Sequence, residues 1–143
     1  MADVFDKETR SRVMRQVRGR DTKPELFVRR WLHREGFRFR LHRADLPGKP
    51  DIVLPRYRSV VFVHGCFWHG HKGCPRSPLP TSNRTYWETK IGRNIERDQR
   101  NQRQLRRLGW HVITLWECRL KDEQMLEKCL RKFLSAVSPG VAE

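Results

Sequence analysis

Two thiols and two imidazoles fall within nine residues, Cys66-Phe-Trp-His69-Gly-His71-Lys-Gly-Cys74, and a further thiol, Cys118, closes a distant apolar stretch. Sulfur and imidazole nitrogen are the ligands that Zn²⁺ takes in tetrahedral sets of four, and a closed set of this kind is structural. Cys66, Cys74 and Cys118 supply three places, and either His69 or His71 fills the fourth, leaving the other imidazole for different work. The plain alternative is a loop of unligated polar residues, but a loop without a core of its own needs something to hold it, and a metal does so. Cys129 differs. Its spacing with Leu126, Leu130 and Phe133 puts it on the apolar side of a helix, a packing role.

The carboxylates are candidates for cation and proton work. Asp51 follows Pro50 where an apolar strand begins, although Pro-Asp pairs are also common in turns. Asp98 falls in the middle of the helical stripe formed by Trp87, Ile91, Ile95 and Leu105. A buried charge is costly unless paired, so Asp98 needs a partner, either a histidine of the 64–71 segment or a neighbouring arginine. Glu25 stands three residues after Thr22, where a capping box accounts for it.

The elements that must position these groups read in the order α-α-β-β-β-α-β-α, one α/β domain over residues 1–143. A basic helix is expected over about 6–20. Thr22-Lys-Pro-Glu25 opens a second helix that runs to Gly36. Phe37, Phe39 and Leu41 alternate with Arg38, Arg40 and His42 as in a half-buried strand. After the Leu46 to Pro50 turn, residues 51–54 and 59–63 form a hairpin joined by Pro55 to Arg58. Residues 65–84 are a loop, long for a small domain. A long helix from about Thr85 to Leu108 stops at Gly109, Trp110 to Trp116 is the last strand, and a helix to about Val137 precedes a tail at 138–143.

Lys and Arg total 31 against 16 Asp and Glu, a formal net charge of +15. Such a field attracts a polyanion, and nucleic acid is the usual one. The longest stretch without Asp, Glu, Lys or Arg, Ser59 to His71, is shorter than the roughly 20 residues a membrane span needs. The N-terminus lacks the apolar segment of a secretory signal, so an intracellular protein is expected. The long helix carries Lys90, Arg93, Arg97, Arg100, Arg103, Arg106 and Arg107, as phosphate contacts or solvated charges. Phe67, Trp68 and Trp87 are either core or rings that wedge between bases.

Taken together, His64-Gly-Cys66-Phe-Trp-His69, Leu46-Pro-Gly-Lys-Pro-Asp51, Lys90-Ile-Gly-Arg-Asn94-Ile-Glu-Arg-Asp98, Leu108-Gly-Trp110 and Trp116-Glu-Cys118 resemble the very short patch repair (Vsr) endonucleases of bacteria, over nearly the whole chain. The resemblance implies a restriction-endonuclease-like fold of the PD-(D/E)xK type, a central mixed sheet flanked by helices with a structural zinc site. That fold usually carries a Glu-x-Lys pair on the strand after its Asp, and here Val61-Phe-Val63-His64 stands in that place.

The activity implied is strand nicking at a T:G mismatch, the lesion left when 5-methylcytosine deaminates, with the cut 5′ of the mismatched T. Asp51 and the backbone carbonyl of Val63, where many relatives have Thr, would hold Mg²⁺. His69 would transfer a proton, Asp98 would orient it, and His64 would lie near the scissile phosphate. An acidic residue near the site is implied at Glu25, against which the helix cap is the slightly favoured reading. His71 joins Cys66, Cys74 and Cys118 on Zn²⁺. Phe67, Trp68 and Trp87 match intercalating aromatics, Lys90 and Asn94 mismatch-side contacts, and Arg97 a DNA contact. The partners implied are T:G-containing double-stranded DNA and mismatch-repair proteins, for a monomer in the bacterial cytoplasm, at the nucleoid and away from membranes. The rival readings are a non-catalytic zinc module that binds DNA and a restriction-type nuclease acting on paired DNA.

Overall fold

Thr22 is extended and its hydroxyl accepts the Glu25 N–H at 3.4 Å, so helix α1 (Lys23–Arg34) starts where its cap and the adjacent proline direct. The structure, a computed structural model, describes residues 22–75 and 78–137. The basic helix expected at 6–20 and the tail expected from 138 lie outside the described residues.

Strand β1 (Arg40–Leu41) is shorter than the alternation from Phe37 predicts. Its partner explains this. Strand β2 (Ile52–Leu54) pairs with it through Arg40↔Val53 and Leu41↔Ile52, then stops at Pro55, which has no N–H for a ladder and opens a 3₁₀ turn over Pro55–Tyr57. Phe37, Phe39 and Leu41 still pack on the core, so the alternation reports burial correctly although the ladder ends early. The expected hairpin forms as β2 with β3 (Ser59–His64), antiparallel in the register Ile52↔Val61. Helix α2 (Arg84–Arg107) then crosses to β4 (His111–Trp116), which pairs parallel to β3. Helix α3 (Glu123–Ala136) is capped by Asp122, which accepts the Met125 N–H at 2.8 Å. The result is a four-stranded mixed sheet in the order β1-β2-β3-β4.

The period-2 rule sorts the strand residues onto two faces. Ile52, Leu54, Val61 and Leu115 pack with Val28, Trp31 and Leu32 of α1 and with Leu126, Leu130 and Leu134 of α3, and Cys129 joins the edge of this cluster as its helical spacing implies. Val53, Val60 and Phe62 meet Leu105 of α2 on the opposite face. By the same alternation Asp51, His64 and Trp116 belong to the α2 face, at the end where β3 and β4 finish. Three elements therefore deliver polar side chains to one place. Among the described residues no helix is long and apolar enough to cross a membrane.

Candidate active site and metal centre

Pro50 decides what happens around Asp51. Continuing the β2–β3 register two residues past Ile52↔Val61 puts Pro50 opposite Val63. Proline cannot donate, so the ladder supplies no hydrogen to the Val63 carbonyl, while the Val63 N–H donates instead to Asp51 Oδ2 at 2.8 Å. Burial pushes the Asp51 carboxyl up to about 7; the Val63 N–H opposes this and the charges of Glu25 and Asp98 add to it. Three carboxylates converge on a site with an oxygen-bearing backbone edge, and a hard cation with oxygen ligands would relieve them.

Asp98 reaches the same cavity from the middle of α2. His69 Nδ1–H donates to its Oδ2 at 2.6 Å, so the histidine partner foreseen for Asp98 is His69, with Arg97 farther off at 3.7 Å. Burial pushes the Asp98 carboxyl up, but the His69 hydrogen bond, the charges of His69 and His64 and that of Arg97 outweigh it, and its pKa lies below the ordinary carboxylate value. His64 lies flat against His69, centroids 3.7 Å apart and planes within 4°. Only 4% exposed, His64 has its pKa pushed down to about 3, first by burial and then by the His69 charge. It is neutral at physiological pH, and its buried Nδ1 has no hydrogen-bond partner among the described residues. Glu25, Asp51, Val63, His64, Trp68, His69, Arg97 and Asp98 all line one cavity of about 300 Å³.

The reading of Glu25 as a helix cap needs correction. Thr22 caps the helix, but the Glu25 carboxylate is turned inward, 1% exposed, where Oε2 accepts from Arg29 and from His42 Nε2, each at 3.0 Å. Sequence reasoning also missed Lys49 and Asn101, which line this cavity, and His42, which lies beside Glu25 and Asp51. Lys49 directly precedes the Pro-Asp pair and was there to be seen. His42 gives no local signal, since only the fold carries it to Glu25.

Cys66, His71, Cys74 and Cys118 bring their ligand atoms within 4.8 Å of one another, close enough to surround one metal ion. His71 Nδ1 is 3.4 Å from Cys118 Sγ, and its ring stacks on Trp116 at 4.1 Å. Burial pushes the Cys66 thiol up to about 12, so Cys66 becomes a thiolate ligand only beside a cation. Glu117, another residue not foreseen, accepts the Cys66 N–H at 3.2 Å and ties the loop to the end of β4. On the other side of the loop, Gly70 at φ 60 lies against Ile91 and Ile95, where a Cβ would come within 2.6 Å of Ile95 Cδ1. Asn94, buried, donates its side-chain N–H to the Trp68 carbonyl at 2.9 Å. Phe67, Trp68 and Trp87 form a half-buried aromatic cluster with ring centroids 5.2 to 5.8 Å apart, and Lys90 is exposed on the same helix.

A base held by a carboxylate, beside carboxylates suited to a cation, is equipment for hydrolysing a phosphodiester, and a chain of net charge +15 brings it a nucleic acid. The class is a nuclease. Comparison with known proteins narrows it: the model of the family "DNA mismatch endonuclease Vsr" matches residues 2–75. Over 134 residues the chain is 52% identical to the type II nicking enzyme V.XorIIP of Xanthomonas oryzae, covering 94% of this chain and 98% of that one. It is 42% identical to V.NmeAIP, a type II nicking enzyme of Neisseria meningitidis, covering 99% of this chain and 100% of the relative. It is 46% identical to the DNA mismatch endonuclease Vsr of Escherichia coli, covering 88% of this chain and 80% of the relative. The chain belongs to the Vsr DNA mismatch endonuclease family and is a DNA-cleaving hydrolase.

Proposed function

We propose that the protein nicks duplex DNA at T:G mismatches left by deamination of 5-methylcytosine, cutting 5′ of the mismatched T and opening the strand for very short patch repair. The observation that carries this reading is the His69–Asp98 pair on the same cavity as Asp51. We read the fold as restriction-endonuclease-like, with the mixed sheet delivering Asp51 and the usual Glu-x-Lys pair replaced by Val63 and the histidines. The setting is the bacterial cytoplasm, at the nucleoid, with the enzyme acting as a monomer and mismatch-repair proteins as further partners.

Asp51 and the Val63 carbonyl would hold Mg²⁺; the fit rests on the converging carboxylates and on the carbonyl that Pro50 leaves without a ladder donor. Bound there, Mg²⁺ supplies polarisation of the scissile phosphate and offsets charge on its oxygens. Cys66, His71, Cys74 and Cys118 would hold Zn²⁺, which keeps the loop and its aromatics in place.

His69 takes the proton of the attacking water at Nε2, because Nδ1 is committed to Asp98. Asp98 fixes that tautomer and offsets the positive charge the ring acquires. His64, kept neutral by burial, presses on His69 without adding a competing charge, and its ring stands beside the scissile phosphate. The Glu25 carboxylate faces the cation from α1. Phe67, Trp68 and Trp87 enter the stack at the mismatch, where unstacking costs less than in paired DNA. The buried Nε1–H of Trp68 has no partner among the described residues. Lys90 and Asn94 contact the mismatch side, Asn94 also aiming Trp68 through its carbonyl, and Arg97 contacts a phosphate.

The test is a T:G duplex labelled separately on each strand, incubated with zinc-loaded enzyme and Mg²⁺. A cut on the T strand immediately 5′ of the mismatch, with paired duplex left intact, is expected. Equal cutting of paired DNA would replace this reading with a restriction-type nuclease, and binding without cutting would replace it with a zinc-containing DNA-binding module.

A further inference from the structure

His42 follows β1 with its backbone in the left-handed region, at φ 48. That conformation is strained for a residue with a Cβ, and glycine adopts it freely. If only the turn mattered, glycine would serve it better. What histidine adds is a link in two directions. Its backbone N–H donates to the Asp51 carbonyl at 3.1 Å, and its ring Nε2–H donates to Glu25 Oε2 at 3.0 Å. Glu25 belongs to α1 and Asp51 directly precedes β2, so one residue ties the Glu25 carboxylate to the backbone of Asp51. The ligand atoms of all three lie within 4.8 Å of one another.

Arg29 also pairs with Glu25. It meets the same oxygen of Glu25 at 3.0 Å, but from four residues along the same helix, so this ion pair fixes Glu25 relative to α1 and not relative to the sheet. The His42 ring ties the Glu25 carboxylate to the end of β1, and it is nearly buried with its side chain 11% exposed.

We propose that His42 is a positioning residue of the nicking reaction: it holds the Glu25 carboxylate within reach of the divalent cation that Asp51 holds. The inference rests on the assignment of Asp51 made above. His42 acts through Glu25 and touches neither DNA nor the cation. Partners that orient metal-binding carboxylates are worth roughly 10- to 100-fold in metal affinity or activity.

Four variants of the zinc-loaded enzyme test it: His42→Gly, His42→Gln, Glu25→Gln and Asp51→Ala. Mn²⁺ binding is measured by electron paramagnetic resonance, nicking is measured against Mg²⁺ concentration, and thermal unfolding is followed in parallel. His42→Gly suits the left-handed turn and should melt at or above the wild-type temperature. It should nevertheless bind Mn²⁺ roughly 10- to 100-fold more weakly and need correspondingly more Mg²⁺ to nick. His42→Gln offers Glu25 an N–H and should return both quantities to within a few-fold of wild type. Glu25→Gln leaves the turn untouched and should weaken Mn²⁺ binding as His42→Gly does, so the inference stays testable if the turn variants fold poorly. Wild-type Mn²⁺ affinity and Mg²⁺ dependence in His42→Gly would overturn the inference. So would His42→Gln performing no better than His42→Gly, or Glu25→Gln binding Mn²⁺ normally. Asp51→Ala that nicks at the wild-type rate would instead overturn the functional reading on which the inference rests.

Discussion

His69 and Asp98 stand 2.6 Å apart, Nδ1 to Oδ2, one from the cysteine-rich loop and the other from the middle of α2. The loop's placement decides whether they meet. Asn94 holds the Trp68 carbonyl, Gly70 lets the chain settle on Ile91 and Ile95, and the Cys/His cluster closes the loop against the end of β4. The His69–Asp98 pair is therefore a product of tertiary structure, and with Nδ1 on Asp98 it leaves Nε2 as the nitrogen for the proton transfer we propose.

Asp98→Asn should lower nicking by ~10² to 10⁴-fold while leaving DNA affinity nearly unchanged, because an amide neither fixes the tautomer nor offsets the charge on an imidazolium. His69→Ala should cost about as much, and the double variant little more, since the two residues act as a unit. Single-turnover nicking of the three variants checks this. Additive losses would mean that the residues work separately.

Elemental analysis of active protein should find zinc in proportion to the chain. Cys118→Ala or Cys74→Ala should lose that zinc and unfold at lower temperature, with nicking lost because His69 leaves its place. A cysteine variant that melts like wild type but does not cut would instead give the cluster a direct part in the reaction.

Asp51 yields a prediction about stability. Its pKa is raised from 3.8 to about 7, burial being the main cause, so without a divalent cation the folded chain keeps a proton that the unfolded chain releases. Stability from this group is present below its unfolded pKa and is lost as the pH rises through the folded one. Asp51→Asn, measured with zinc retained and Mg²⁺ removed, should gain stability over wild type between about pH 4 and pH 7 and then level off. The gain should be on the order of a few kcal/mol. Urea titrations at several pH values check both the sign and the window.

Affinity and discrimination should separate by salt dependence. Arg97→Ala removes the phosphate contact proposed for it and should reduce the magnitude of the slope of log K against log salt by roughly 0.9. Trp68→Ala and Trp87→Ala should leave that slope nearly unchanged and reduce the preference for T:G over paired duplex. Wild-type discrimination in both tryptophan variants would return the aromatic cluster to a packing role.

The sequence was legible where chemistry is local. Thr22, Pro24, Pro55 and Gly109 mark their turns and caps through their own side chains or lack of them, and helices α1 and α2 appear within a residue or two of their expected limits. Strand β1 came out short because its length depends on where a partner ends, at Pro55. The thiols were visible as ligands, but spacing alone left His69 and His71 interchangeable. The fold separates them, giving the His69 ring to Asp98 and the His71 ring to Cys118. Glu25 was misread because its cap position is local and its contact with His42 is not.

The most direct measurement is single-turnover nicking of a T:G duplex by Asp51→Ala beside wild type, with duplex affinity measured on the same samples. The account expects Asp51→Ala to bind the mismatch within a few-fold of wild type, since phosphate contacts elsewhere supply the affinity, and to leave the T strand uncut at every Mg²⁺ concentration. Nicking at the wild-type rate in Asp51→Ala would contradict the assignment of this cavity as the cleavage centre.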